Sequence, residues 1–116
     1  MKYREYLDFA HDISDSISEI ERFINGMKYD DFCKDRKTIN AVIRSLEVIG
    51  NAAKKIPDNV QKKYPVVPWK KIEARGDELI HKYFEVNEET IWNAASVEIP
   101  ALKPLIEKII DEEEYF

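Results

Sequence analysis

The chain has 116 residues with only three glycines and 44% apolar side chains, which predicts a single domain over 1–116 with a real hydrophobic core. A formal net charge of −5 excludes the general basic surface of histone-like proteins. One cysteine, Cys33, excludes an internal disulfide and a cysteine-based zinc site. No segment reaches the roughly 18 apolar residues of a membrane span, and the first residues lack a signal-peptide centre. We therefore expect a cytoplasmic protein without membrane contact.

Apolar residues at steps of three and four predict long amphipathic helices. These helices cover residues 2–26, 35–56 and 68–83, and a last apolar stripe covers 102–110. Shorter helices are predicted at 30–33, 57–64 and 88–95, the last with Asn87 as its N-cap. The predicted fold class is all-α, an up-and-down four-helix bundle with additional short helices.

The segment from Trp69 to Phe84 gathers the side chains that suit work on a phosphodiester. His81 can move protons near neutral pH, and Arg75 can hold a phosphate through two parallel hydrogen bonds. Asp77 lies four residues before His81, on the same helix face, and can orient the imidazole. These three residues are the candidate catalytic set. The alternative is a solvent-exposed face of a structural helix that carries no chemistry.

Helical geometry separates the two main candidates. Arg75 and His81 lie about 120° apart around the helix and about 9 Å apart along its axis. A second copy of the helix across a two-fold axis would bring such groups together, which predicts a homodimer. Gly76 costs about 1 kcal/mol in a helix interior relative to alanine, and this indicates a bend or the close approach of another chain.

Basic residues concentrate between Lys54 and Arg75, where seven basic side chains face two acidic ones. This strip predicts either phosphate binding or a solvated surface. Trp69 and Tyr64 lie in the strip and could stack on bases or belong to the core. Gly-rich phosphate loops and metal-spaced clusters are absent from the sequence, so we expect no cofactor and no metal. The candidate RNA-binding residues are Lys70, Lys71 and Lys82.

The stretch RGDELIHKYF resembles the signature of the HEPN superfamily, an arginine followed after four to six residues by a histidine. The HepT-like branch adds His-x-Tyr, matched here by His81-Lys82-Tyr83. Other landmarks of the branch occur in order along nearly the whole chain: IERFINGM, TINAVIRSLEVIGNAAKKIP, YPVVPWKKI, HKYFEVN with Ile91-Trp92, and PALKPLI.

The resemblance implies an all-α, HEPN-like homodimer that acts as a metal-independent endoribonuclease toxin. It also implies a partner, a minimal nucleotidyltransferase antitoxin that attaches AMP to the motif tyrosine, here Tyr83. The branch usually has Arg-Asn four residues before the histidine, whereas this chain has Gly76 and Asp77 there and the arginine one place earlier. Two alternatives therefore stay open. One is a non-catalytic helical binding subunit of a nucleotidyltransferase, and the other is a plain helical dimerisation module.

Overall fold

The computed structural model describes residues 5–81 and 87–114, which form helices joined by short turns and contain no strand. This confirms the all-α fold. The elements in chain order are α1 (Tyr6–Phe23), α2 (Tyr29–Cys33), α3 (Arg36–Lys54), α4 (Asp58–Lys63), α5 (Trp69–His81), α6 (Glu88–Asn93), a π-helical segment (Ala94–Glu98) and α7 (Ile99–Glu114).

Two helices begin at the side-chain caps that the sequence carries. The Asp35 carboxylate accepts hydrogen bonds from the backbone N–H of Thr38 at 3.0 Å and from its hydroxyl at 2.8 Å. These bonds hold the pKa of Asp35 below its ordinary value. The Asn87 side-chain oxygen accepts from the N–H groups of Glu89 at 2.8 Å and Thr90 at 3.3 Å. Both caps satisfy N–H groups that have no partner within the helix.

The end of α1 differs slightly from the sequence prediction. The helix ends at Phe23, before Gly26, and Gly26 itself adopts a φ of 78°. Glycine tolerates this left-handed conformation because it has no Cβ. Gly26 therefore shapes the turn that follows the helix.

The core lies where α3 packs between α1 and α5, while α7 packs on α1. Burying each large aliphatic side chain contributes about 1.5–3 kcal/mol, so this layer supplies much of the stability. Fully buried members from the first two long helices are Ile13, Ile17, Ile20, Ile39, Val42 and Ile49. Among the described residues, no helix is long and apolar enough to cross a membrane.

The last helical stretch continues through two prolines. Pro100 and Pro104 both lie in α7, although proline cannot donate the N–H that an α-helix needs. The π-helical segment, in which the Ile99 N–H pairs with the Ala94 carbonyl five residues back, ends directly before these prolines. Pro100 is thus the second residue of α7, within the first turn, where N–H groups have no partner inside the helix.

Candidate functional site

Helix α5 packs against α3 at a crossing of two glycines, Gly76 and Gly50. A Cβ on Gly76 would lie 3.1 Å from the Cα of Gly50, and a Cβ on Gly50 would lie 3.0 Å from the Cα of Gly76. The two backbones therefore touch, and a side chain at either position would require the neighbouring backbone to shift by a few tenths of an ångström. The sequence predicts a bend or the close approach of another chain at Gly76, and the structure instead shows the close approach of α3 of the same chain.

The two residues on either side of Gly76, Arg75 and Asp77, contact different parts of the molecule. Neighbouring positions on a helix are about 100° apart, so Arg75 and Asp77 flank the crossing on opposite sides. The Arg75 Nη2 donates to the two carboxylate oxygens of Glu98 at 2.8 and 3.2 Å. The Asp77 carboxylate instead pairs with the ammonium group of Lys54 on α3. One protomer thus does not bring Arg75 and Asp77 into a common site.

Glu98, at the end of the π-helical segment, is a junction that sequence reasoning missed. Besides Arg75, its carboxylate lies 3.2 Å from the Lys71 Nζ and 3.5 Å from the Asn93 Nδ2. Arg75 and Glu98 are only 21% and 25% exposed, so solvent screens this pair less than a surface pair. The Arg75–Glu98 contact left no signal in the sequence, because the two residues are 23 positions apart and Glu98 lies in a local π-helix. Such π-helical turns frequently mark functional sites.

His81 is the last residue of α5, and its side chain lies outside the described part of the structure. The helical register places position 81 about 140° from Gly76, on the face that points away from α3. Lys70 and Ala74 are exposed on that same face. Lys82 and Tyr83 also lie outside the described residues.

The two described candidate RNA-binding lysines differ in their surroundings. The Lys70 side chain is 92% exposed, with its ammonium 3.9 Å from the carboxylate of Glu73. Lys71 is 61% exposed and pairs with Glu98. Lys70 thus presents its charge to solvent, and Lys71 stands beside the Arg75 ion pair.

The aromatic residues of the basic strip belong to the core. Trp69 is buried, and its indole N–H donates to the backbone carbonyls of Gln61 at 3.2 Å and Tyr64 at 3.1 Å. Tyr64 is also buried, and its hydroxyl lies 3.1 Å from Glu112 and 3.0 Å from Glu113. Neither ring is available for base stacking. This confirms the interpretation that Trp69 and Tyr64 belong to the core.

In the described part of the chain, the second histidine and the cysteine do not belong to a metal-binding cluster. The other histidine, His11, lies 2.5 Å from Glu114 at an exposed helix end. Cys33 is a free, partly exposed thiol. Within residues 5–81 and 87–114, no three His, Cys, Asp or Glu side chains are grouped so that they could hold a metal ion.

Comparisons with known proteins add independent information. The family model described as "Ribonuclease HepT-like" matches residues 13–109. A candidate RNase of Methanocaldococcus jannaschii is 44% identical over 112 residues, which cover 97% of this chain and 93% of the relative. A protein of Thermococcus cleftensis named a probable ribonuclease HepT is 40% identical over 106 residues, 91% of this chain and 96% of the relative. No solved structure matches the chain.

Proposed function

The chain belongs to the HepT-like ribonuclease family, and on that premise we propose that it is an RNA-cleaving toxin of a cytoplasmic toxin–antitoxin pair. The family match carries this proposal, because it spans 97 residues from 13 to 109 and includes both Arg75 and His81. The sequence supplies the residue types that such cleavage needs, a histidine and an arginine on one helix.

The proposed reaction is attack by the RNA 2′-hydroxyl on the adjacent phosphorus. His81 takes the 2′-hydroxyl proton or gives a proton to the leaving 5′-oxygen, and Arg75 stabilises the charge that develops on the phosphoryl oxygens. The new bond joins the 2′-oxygen to phosphorus as the bond to the 5′-oxygen breaks, so the products are a 2′,3′-cyclic phosphate and a 5′-hydroxyl. Asp77 orients His81, and these steps require no metal ion.

Arg75 keeps the capacity to hold a phosphate while it is paired with Glu98. A guanidinium carries five N–H donors, and both bonds to Glu98 come from one nitrogen, Nη2. The donors on the other two nitrogens are the ones that we assign to the phosphate. Glu98 then orients the guanidinium and at the same time lowers the local positive potential.

The site is proposed to form across a homodimer with α5 near the two-fold axis. Within one helix, Arg75 and position 81 lie about 120° apart, so one copy does not place both on one phosphate. Ala74, a small exposed residue on the face of α5 that points away from α3, allows a second helix to come close. Light scattering at micromolar concentration should give the mass of a dimer, and a monomer would contradict this arrangement.

Cleavage is tested with purified protein and labelled RNA in the presence of a chelator. We expect RNA fragments with 2′,3′-cyclic phosphate ends and a loss of at least about 100-fold in rate for His81→Ala, the lower end of what a general acid or base contributes. His11→Ala is the matched control, because it removes the other histidine of the chain. Equal cleavage by wild type and His81→Ala would contradict the assignment, and a requirement for added magnesium would contradict the metal-free mechanism.

Silencing is proposed to occur through AMP transfer to Tyr83 by a partner nucleotidyltransferase. The added phosphate and nucleoside would block RNA by charge and bulk. Co-expression with the nucleotidyltransferase encoded beside the gene, followed by peptide mass spectrometry, should find AMP on Tyr83 and silenced cleavage. Tyr29 is 38% exposed, and Tyr29→Phe is therefore the control that should still be silenced. A Tyr83→Phe protein that is still silenced would overturn this step.

A second candidate function is a non-catalytic binding subunit of the nucleotidyltransferase. The observation in its favour is the motif itself, because Gly76 fills the place of the usual arginine and is buried against Gly50. The displaced Arg75 is paired with Glu98. This alternative predicts a stable complex with the nucleotidyltransferase, no RNA cleavage above the His81→Ala background and no toxicity on expression.

A further inference from the structure

An open groove of about 630 Å³ lies at the N-terminal end of α5. Its lining comes from α4, from the first turn of α5 and from the turn that connects them. In that turn Pro65 and Pro68 are exposed and supply apolar wall, while Val67 is buried. Lys62, Lys70 and Lys71 supply charge. The groove lies away from the Arg75–Glu98 pair but shares Lys71 with it.

The charge of the groove opposes the charge of the protein. Three lysines and one carboxylate, Asp58, line the groove, in a chain whose formal net charge is −5. Lys71 is paired with Glu98 at 3.2 Å and the Lys70 ammonium lies 3.9 Å from Glu73, so Lys62 and the largely exposed Lys70 carry most of the charge that a ligand can reach. The first turn of α5 also lines the groove, and the N-terminal end of a helix carries partial positive charge. The local potential therefore favours an anionic ligand.

The groove is held in shape by buried hydrogen bonds. The indole of Trp69 donates to the carbonyls of Gln61 and Tyr64, and the N–H of Val67 donates to the carbonyl of Tyr64 at 3.1 Å. These bonds fix the connecting turn to the end of α4 and the start of α5. A groove that is already formed loses little entropy when a ligand binds.

We propose that this groove binds single-stranded RNA a few nucleotides away from the scissile phosphate, with backbone phosphates on the lysines and a base against the apolar wall. This inference rests on the proposed ribonuclease function. Lys70 precedes His81 by eleven residues, about 16 Å along α5, and Lys71 lines the groove while it pairs with Glu98, which is also the partner of Arg75. The groove and the cleavage site then lie along one basic path on one helix. Apolar walls beside ammonium groups match a nucleotide, which joins a flat apolar base to a phosphate.

The test measures binding of a 2′-O-methyl oligonucleotide, which cannot be cleaved by attack of a 2′-hydroxyl. The variant Lys62→Ala/Lys70→Ala removes two groove charges and leaves the Lys71–Glu98 pair intact. For single strands the slope of log affinity against log salt changes by about 0.7 per phosphate contact, so we expect the slope to fall by about 1.4. If the two binding lines meet near 1 M salt, affinity at 0.1 M falls about 25-fold.

The matched control is Lys37→Ala/Lys108→Ala, which removes the same charge from exposed positions on α3 and α7. The control should keep the wild-type slope. If the slope fell equally in both double variants, the effect would come from the net charge of the protein alone, and the groove assignment would be overturned. A wild-type slope for Lys62→Ala/Lys70→Ala would overturn it as well, provided that thermal unfolding shows the variant to be folded.

Two further measurements separate the possible failures. RNA cleavage is measured independently with ordinary RNA, so a cleaving protein whose groove variant binds normally overturns the groove and leaves the proposed function standing. If the wild-type protein does not cleave RNA but the groove variant shows the expected change of slope, the groove assignment stands and the proposed ribonuclease function is overturned. Competition by a polyglutamate peptide at the same charge concentration as the RNA should be weak, and equal displacement would identify an acidic protein ligand instead.

Discussion

The two sides of α3 hold their neighbouring helices by opposite means. Towards α1, the contact is a layer of large, fully buried aliphatic side chains that includes Ile17 and Ile20. Towards α5, the contact includes a crossing where Gly50 meets Gly76 with no side chain between the backbones. Ion pairs flank this second crossing, Lys54 with Asp77 and Arg75 with Glu98. The helix that carries the candidate site is thus positioned by backbone contact and ion pairs in addition to its buried Trp69 and Ile72, whereas α1 is held mainly by apolar volume.

The largest effect should come from the aliphatic side of α3. Ile17 is fully buried, and Ile17→Ala removes volume that the core cannot refill, so we expect a loss of about 2–5 kcal/mol in the free energy of unfolding. Urea denaturation measures this loss. A change under about 1 kcal/mol would contradict the view that the α1–α3 layer supplies much of the stability.

A smaller loss is expected at the glycine crossing. Gly76→Ala gains up to about 1 kcal/mol of helix propensity but places its Cβ 3.1 Å from the Cα of Gly50, a backbone atom that would have to shift by a few tenths of an ångström. Overpacking of this kind costs about 1–3 kcal/mol, so the net loss should be about 0–2 kcal/mol. Ala74→Ser adds one atom on the exposed face of α5 and is the control, since it should change the free energy of unfolding by less than about 0.5 kcal/mol. A Gly76→Ala protein with a higher free energy of unfolding than wild type would show that the backbones of α3 and α5 can move apart at little cost.

The ion pairs beside α5 should affect binding more than stability. Glu98→Gln keeps the shape of the side chain and removes its negative charge from Arg75 and Lys71, which raises the local positive potential. We expect a loss of about 1 kcal/mol in the free energy of unfolding, together with tighter binding of the 2′-O-methyl oligonucleotide. Glu107→Gln, at an exposed position of α7, is the charge-matched control. Weaker binding by Glu98→Gln than by this control would show that the orientation of Arg75 matters more than its net charge.

The smallest effect concerns the end of α7, far from the glycine crossing. The Glu113 carboxylate accepts a hydrogen bond from the Tyr6 hydroxyl at 2.7 Å, and this bond, with those from Tyr64 and Lys63, holds the pKa of Glu113 below its ordinary value. A lowered carboxyl pKa contributes stability above the unfolded-state pKa and loses it as the pH falls through the folded-state pKa. Between pH 6 and pH 3, Tyr6→Phe should therefore lose less stability than wild type, by under about 1 kcal/mol in urea denaturation. Equal acid sensitivity of the two proteins would contradict the assignment.

Local chemistry explains which parts of this structure could be predicted from sequence. The starts of α3 and α6 follow from Asp35 and Asn87, because a cap acts on N–H groups within three residues of itself. The core also follows from apolar spacing. The α5 crossing does not, because a glycine indicates where a side chain is absent and not which backbone fills the space, so Gly76 alone could not identify Gly50.

In the candidate site, too, the local features could be predicted from the sequence and the long-range contacts could not. Arg75, Asp77 and His81 could be selected by residue type and family resemblance, and their positions around α5 follow from helical geometry. The pairing of Arg75 with Glu98 could not be predicted, because it joins two distant helical segments through a π-helical turn that no sequence pattern announced. The position of Tyr83 relative to the site stays a prediction.

The glycine crossing also divides α5 into two unequal arms. From the backbone contact at Gly76, one arm of seven residues, about 10 Å, runs to Trp69 at the groove, and an arm of five residues, about 7.5 Å, runs to position 81. A bulky residue at position 76 would push α5 away from α3 at a point between these two arms. One substitution at the crossing would therefore move the groove end and the candidate catalytic end of the helix together.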